Sequence, residues 1–226
     1  MEENIGKRIV NNLKKCGRGS IFFPNSFVSY GDIKSVSKSL ERLTNDAVII
    51  RLANGIYLYP KIDKELGLGV LYPSVEEVAL QVAKRDKAHI APTGAYAMNL
   101  LGLSTQVPMN VVFLTDGSPR KIKLGNNKII TFKHTVPKNL AFVSKTAQLA
   151  TFALKEIGET NVNEEHLKQL QKVFSAINEK SIEADYKLMP AWIRKIIKDF
   201  YSEGRSALIR KRCRKLVLVL FLSQLR

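Results

Sequence analysis

The stretch on which the fold turns is Ile33-Lys34-Ser35-Val36-Ser37-Lys38-Ser39-Leu40-Glu41-Arg42-Leu43-Thr44-Asn45, together with Ala47-Val48-Ile49-Ile50-Arg51-Leu52, Ala53-Asn54-Gly55 and Ile56-Tyr57-Leu58-Tyr59-Pro60. Ile33, Val36, Leu40 and Leu43 recur at helical spacing, which predicts an amphipathic helix from Ile33 or Lys34 to Asn45 with those four on its buried face. The runs 47–52 and 56–60 read as strands. Asn54-Gly55 between them favours a tight hairpin in which both central residues take positive φ.

Working outward, Ile5, Ile9, Val10 and Leu13 form a helical stripe opposite Lys7, Arg8, Lys14 and Lys15, and Gly17 and Gly19 stop that helix. Ile21-Phe22-Phe23 is a short apolar run before Pro24. Asn25 or Ser26 is placed to cap a short helix carrying Phe27, Val28 and Tyr30, which Gly31 breaks. Helix, short helix, glycine turn, helix and hairpin is the order of a winged helix-turn-helix, whose second helix enters a DNA major groove while the hairpin lies along the backbone. The exposed positions of that helix are Lys34, Ser35, Ser37, Lys38, Glu41 and Arg42, a set rich in hydrogen-bonding groups and long cations that suit base edges and phosphates. Arg51 and Asn54 would add phosphate contacts from the wing. The plainer reading is a polar face on an ordinary α+β domain, and such a helix pair also serves protein contacts.

Charge supports a polyanionic partner. The 226 residues hold 36 Lys+Arg against 20 Asp+Glu, a formal net charge of +16. Nucleic acid is the first partner this implies and an anionic membrane the second. The excess is confined to three blocks: residues 1–60 carry 9 basic and 5 acidic groups, 118–145 carry 7 and none, and 187–226 carry 11 and 2. Apolar residues at 45% and charged residues at 25% are the balance of a globular protein, which excludes a disordered tail, a collagen-like repeat and a disulfide scaffold. Cys16 and Cys213 show no metal-ligand or CxxC spacing and read as reduced thiols. The acidic, polar N-terminus and the longest apolar run of seven residues, 216–222, predict a soluble cytoplasmic protein without a membrane span.

Beyond residue 60, Ser74-Val75-Glu76-Glu77 reads as a capping box ahead of a stripe of Val78, Ala79, Val82 and Ala83. A helix over 93–102 contains Gly94, Ala95 and Ala97, small residues that allow close packing. Residues 110–115 read as a buried strand, 116–119 as a turn, and 120–124 with 128–133 as a hairpin with a basic edge. Three helical stripes follow: Leu149, Phe152, Ala153, Leu154 and Ile157; Leu167, Leu170, Val173, Phe174 and Ile177; and Trp192, Ile193, Ile196, Ile197 and Phe200.

Several of these segments, read together, resemble the AbiEi-type antitoxin family. They are Tyr57–Pro60, Pro73-Ser74-Val75-Glu76-Glu77-Val78-Ala79, the long run Ile90–Pro108 containing Ala91-Pro92-Thr93-Gly94-Ala95-Tyr96-Ala97, and Phe113-Leu114-Thr115-Asp116-Gly117-Ser118-Pro119-Arg120. Phe27, Val36, Ser39-Leu40, Arg42-Leu43, Arg51 and Gly55-Ile56-Tyr57 carry the likeness into the first sixty residues, so that it covers about residues 5–201. It implies an α+β protein with a winged helix-turn-helix at 1–60 and, at 61–201, a mixed α/β antitoxin domain with a helical C-terminal part. It also implies a role in a bacterial toxin–antitoxin, or abortive phage infection, module. In such a module the antitoxin represses its own promoter and counteracts a nucleotidyltransferase-like toxin, without a stable complex in the family's usual description. Repressors of this type meet DNA as two copies, by dimerisation or by cooperative binding. The chain departs from the family at the wing, where Ala53-Asn54 stand in place of a frequent basic residue, and after Tyr201.

Enzymatic signals are absent from the sequence, and no enzyme, metal or cofactor is expected. His89, His134 and His166 are scattered and lack metal-ligand spacing, and no phosphate loop, dinucleotide turn or nucleophile elbow occurs. Asp116 has no motif partner. Thr93-Gly94 at a helix start reads as a cap with tight packing before an anion site. A rival to DNA reading is an RNA- or toxin-binding module using the block 118–145, with Arg120, Lys121, Lys123, Lys128 and Lys133 as its surface. A third reading is an enzyme whose pocket the sequence does not reveal. The tail 202–226, basic and then apolar, switches from lysine to arginine usage and resembles read-through sequence more than part of the fold. Its other readings are a nucleic-acid arm, an interfacial segment or a dimerisation strand.

Overall fold

A computed structural model describes residues 5–125 and 127–202. The tail from 203 onward, including Cys213 and the apolar run, lies outside the described residues. The chain is a mixed α+β protein in two compact units, one comprising residues up to Ile90 with Met109–His134, the other Ala91–Pro108 with the residues from Thr135 onward. This division does not fall at the expected position between residues 60 and 61. The first sixty residues share a unit with the later strands: the Gly125 amide donates to the Leu52 carbonyl (3.3 Å) and the Arg85 guanidinium lies 4.5 Å from the Phe23 ring centre.

In the first unit, α1 (Ile5–Cys16) buries Ile9 and Leu13 against α2 (Ile33–Asn45), which buries Val36, Leu40 and Leu43. Ser39, not Ile33, completes the inward side of α2. Ile33 shares the angular position of Leu40 but is the first residue of the helix, and it stays 49% exposed. Between these helices come β1 (Ile21–Phe22) and a 3-10 segment, Pro24–Tyr30, whose buried Phe27 meets Phe22 edge-on. Phe23, rather than Asn25 or Ser26, occupies the cap position of that segment. Pro24 supplies the preset φ of its first turn.

The hairpin is shorter than the sequence pattern suggests. The amides of Asp46, Ala47, Val48 and Ile49 all bond back to carbonyls of α2, with Ala47 at φ +54°, so that β2 begins only at Ile50 (Ile50–Ala53). It pairs with β3 (Ile56–Leu58), and β1 pairs on the other side in the order β1-β3-β2. Of the two turn residues only Gly55 has positive φ (+69°). The register is irregular between Arg51 and Ala53, and an irregularity of that kind adds local right-handed twist to the hairpin.

After a small hairpin, β4 (Lys61–Asp63) with β5 (Gly69–Leu71), α3 (Val75–Asp86) opens on the expected capping box of Ser74 and Glu77 and buries Val78, Ala79, Val82 and Ala83. β7 (Asn110–Thr115) runs parallel to β9 (Ile129–His134), which pairs antiparallel with β8 (Arg120–Lys123) at the end of the sheet. β6 (Ile90–Thr93) is the strand within which the division between the units falls.

The second unit packs α4 (Gly94–Leu100) against α5 (Lys145–Ile157), where the Glu156 carboxylate lies 3.5 Å from the position a Cβ on Gly94 would take. α6 (Glu164–Ser175) starts at Asn163 and buries Leu170 and Phe174, and α7 (residues 191–202) buries Ile193 and Ile197. Buried Asp185 accepts from the amides of Val143 and Ser144 at 2.8 and 2.9 Å, which satisfies both of its oxygens. Among the described residues no helix is long and apolar enough to cross a membrane.

Candidate functional site

The exposed side of α2 is built by its own periodicity. With Val36, Ser39, Leu40 and Leu43 turned inward, Lys34, Lys38, Glu41 and Asn45 occupy the middle of the opposite side. Ser37 and Arg42, both exposed, flank it on either hand. Ser35 is only half-exposed and serves the helix start: its amide donates to the Asp32 cap (3.2 Å). The Ser35 hydroxyl and amide together hold the Asp32 carboxyl below its ordinary value. On the hairpin, Arg51 and Asn54 are exposed and bond each other, Arg51 Nη2 donating to Asn54 Oδ1 at 2.8 Å. This pairing fixes the direction of the Arg51 guanidinium while leaving most of its donors to solvent.

Beside that helix, Gly6, Lys7, Val10, Asn11, Lys14, Arg42 and Leu43 line a groove of about 370 Å³ between α1 and α2. Lys7, Asn11 and Lys14, which the sequence reading did not select, are the polar contributors from α1. Their i, i+4, i+7 spacing was the available signal, but the sequence alone does not reveal that this stripe faces α2.

The second basic region separates into two faces. In the β8–β9 register Lys121 lies opposite Thr131 and Lys123 opposite Ile129, so that Lys121, Lys123 and Lys133 share one side of the sheet. All three are exposed, as is Lys128 beyond the strand end. Arg120 points to the other side with Phe132, whose ring centre lies 5.6 Å from its guanidinium. It is ion-paired to Asp86, which also accepts from Arg85 Nε at 2.8 Å. Burial, with Arg85 as a second cause, lowers the Arg120 pKa. Arg120 is therefore a half-buried bracing group rather than part of the exposed basic surface.

Asp116, without a partner by sequence motif, has one in space. It accepts from the His89 amide (2.7 Å) and lies 2.8 Å from His89 Nδ1, and these contacts hold its carboxyl below the ordinary range. His134 Nδ1 lies 3.3 Å from the Gly117 carbonyl. The turn after β7 is thus gripped by two of the three histidines, while His166 belongs to the α6 cap. A Cβ on Gly117 would sit 2.8 Å from that of Ala88, so close packing explains the glycine. Among the described residues no group of three or more His, Cys, Asp or Glu is placed to hold a metal ion. Cys16 is an exposed free thiol.

No curated protein matches the chain. Residues 8–182 match the profile of a family described as "Family of unknown function (DUF6088)". This match spans most of the chain, which therefore belongs to that family.

Proposed function

We propose that the chain is a DNA-binding antitoxin: a winged helix-turn-helix in the first sixty residues represses the protein's own promoter, and the remainder counteracts a nucleotidyltransferase-like toxin in the cytoplasm. The observation that carries the DNA-binding part is the outward side of α2. Lys34, Ser37, Lys38 and Arg42 are exposed together there, on a helix whose other side is fixed in a core of Val36, Leu40, Leu43, Ile9 and Phe27. Such a helix presents short and long donors to base edges and phosphates without a folding cost at binding. Arg51 and Asn54 of the wing follow as backbone contacts. The antitoxin role, the toxin's class and binding as two copies rest on the sequence resemblance.

The test is a titration against labelled DNA from upstream of the gene, with scrambled DNA as control, at two salt concentrations. Tighter binding to the upstream fragment that weakens with salt is expected, since phosphate contacts release counterions. Equal, weak binding to both fragments would leave only non-specific charge and make the helix pair a protein-contact surface.

A second reading is favoured by one specific arrangement. Lys121, Lys123 and Lys133 share a sheet face with half-buried Val112, Leu114 and Ile129. That combination suits an RNA or an acidic toxin surface, reached without sequence-specific DNA binding.

A further inference from the structure

We infer that the groove between α1 and α2 is a phosphodiester clamp, in which Lys7 and Lys14 of α1 and Arg42 of α2 hold the nucleic-acid backbone strand beside the groove that α2 enters. The inference rests on the DNA-binding reading and adds residues to it. Three cations and the Asn11 amide surround the groove, and among the described residues no carboxylate lines it. Its floor is the backbone of Gly6 with Val10 and Leu43, so it is shallow and apolar below and cationic at the rim. Among the described residues none of the three cations is ion-paired to a carboxylate. Such a rim suits an anionic ligand, which displaces the salt ions that otherwise neutralise it.

The position of Arg42 links the groove to α2. Arg42 lies on the flank of that helix nearest α1, not in the middle of its exposed side, so a cation there meets the edge of a duplex groove, where the phosphates run. Lys7 and Lys14, two turns apart on α1, extend the same line of charge by about 10 Å. That length exceeds the reach of a single bound anion and suits an extended polyanionic strand. Contacts of this kind position a protein on DNA without reading sequence.

The experiment compares the full chain with Lys7→Gln plus Lys14→Gln, and with a control of equal charge loss in the second unit, Lys187→Gln plus Lys195→Gln, both exposed. Circular dichroism verifies folding. Affinity is measured by anisotropy for upstream and scrambled duplexes over a salt series, and elution from heparin is measured separately. The α1 variant should weaken both duplexes by a similar factor of roughly ten. Its log–log salt slope should fall by about two relative to the unaltered chain, while the control changes neither appreciably. A salt slope and heparin elution indistinguishable from the control would overturn the clamp. Failure of the sequence-specific reading registers separately, as absence of any preference for the upstream duplex in the unaltered chain, and the heparin comparison still decides the groove.

Discussion

Two basic segments of this chain meet the same demand differently. In α2, a period of 3.6 residues sends Val36, Leu40 and Leu43 one way and leaves Lys34, Lys38 and Arg42 together on the other. In β8, a period of two sends neighbouring cations to opposite faces, so that Arg120 enters the packed side with Phe132 and Asp86 while Lys121 and Lys123 face outward. A run of basic residues is therefore one surface on a helix and two half-surfaces on a strand. Residues 118–145 carry seven cations and no acid, yet one of the seven is already committed to an internal carboxylate.

The largest expected effect separates these regions by function. Lys38→Glu together with Arg42→Glu should reduce affinity for upstream DNA by ~100-fold or more, because two contacts become two repulsions. Lys121→Glu together with Lys123→Glu makes the same change in net charge. At physiological salt it should alter that affinity by less than about fivefold, since charges beyond a Debye length of about 8 Å are screened. Thermal unfolding should be nearly unchanged in both, as all four residues are exposed. Equal losses from the two pairs would dissolve the distinction and move the interface toward the sheet.

A smaller effect separates the two faces of β8 by stability. Arg120→Met removes a half-buried ion pair and the stacking over Phe132, and should cost about 1–2 kcal/mol in urea unfolding. The figure stays well below that for a fully buried pair because Asp86 keeps Arg85 as a partner. Arg120 Nε, buried without a hydrogen bond, also offsets part of what the pair contributes. Lys121→Met, one residue along, should fall within about 0.5 kcal/mol of zero. A similar cost at both positions would mean that the alternation of β8 does not govern how its cations are used.

These contrasts mark what the sequence makes legible. Elements with a strong period or a cap are readable directly: the Ser74–Glu77 capping box, the stripe of Val78, Ala79, Val82 and Ala83, and the β8–β9 hairpin stand where the pattern places them. Misplaced features depend on hydrogen bonds and contacts that no periodicity encodes, some local and some distant in the chain. The strand β2 loses three residues to the closing turn of α2, whose carbonyls capture their amides. The pairing of Asp116 with His89, 27 residues apart, and of Arg120 with Asp86, 34 apart, requires the sheet to bring together turns that no local pattern connects. The groove beside α2 belongs to the same class: its cations are visible in the sequence, but their orientation toward Arg42 depends on how two helices pack.

The smallest effect is a titration, and it tests whether each region is pinned by its own carboxylate. Asp32 at the start of α2 is lowered from 3.8 first by the Ser35 hydroxyl and then by its amide. Asp116, at the turn leading into β8, is lowered from 3.8 first by the His89 ring and then by the His89 amide. A carboxyl with a depressed folded pKa stabilises the fold above its ordinary value, and that contribution is lost as pH falls through the lowered one. Both the α2 cap and the turn should therefore loosen only below about pH 4, and neither should respond between pH 5 and 8 through its carboxylate. Carbon-13 carboxyl shifts followed by NMR give the two midpoints separately, both expected below 3.8. Ser35→Ala should raise the Asp32 midpoint and leave that of Asp116 unmoved, while His89→Ala should do the reverse. Since each side-chain donor is the larger cause at its site, a midpoint unchanged by its own variant would show that the backbone amide alone sets it. For Ser35 that result would return a free hydroxyl to the exposed side of α2, where it could take part in DNA contact after all.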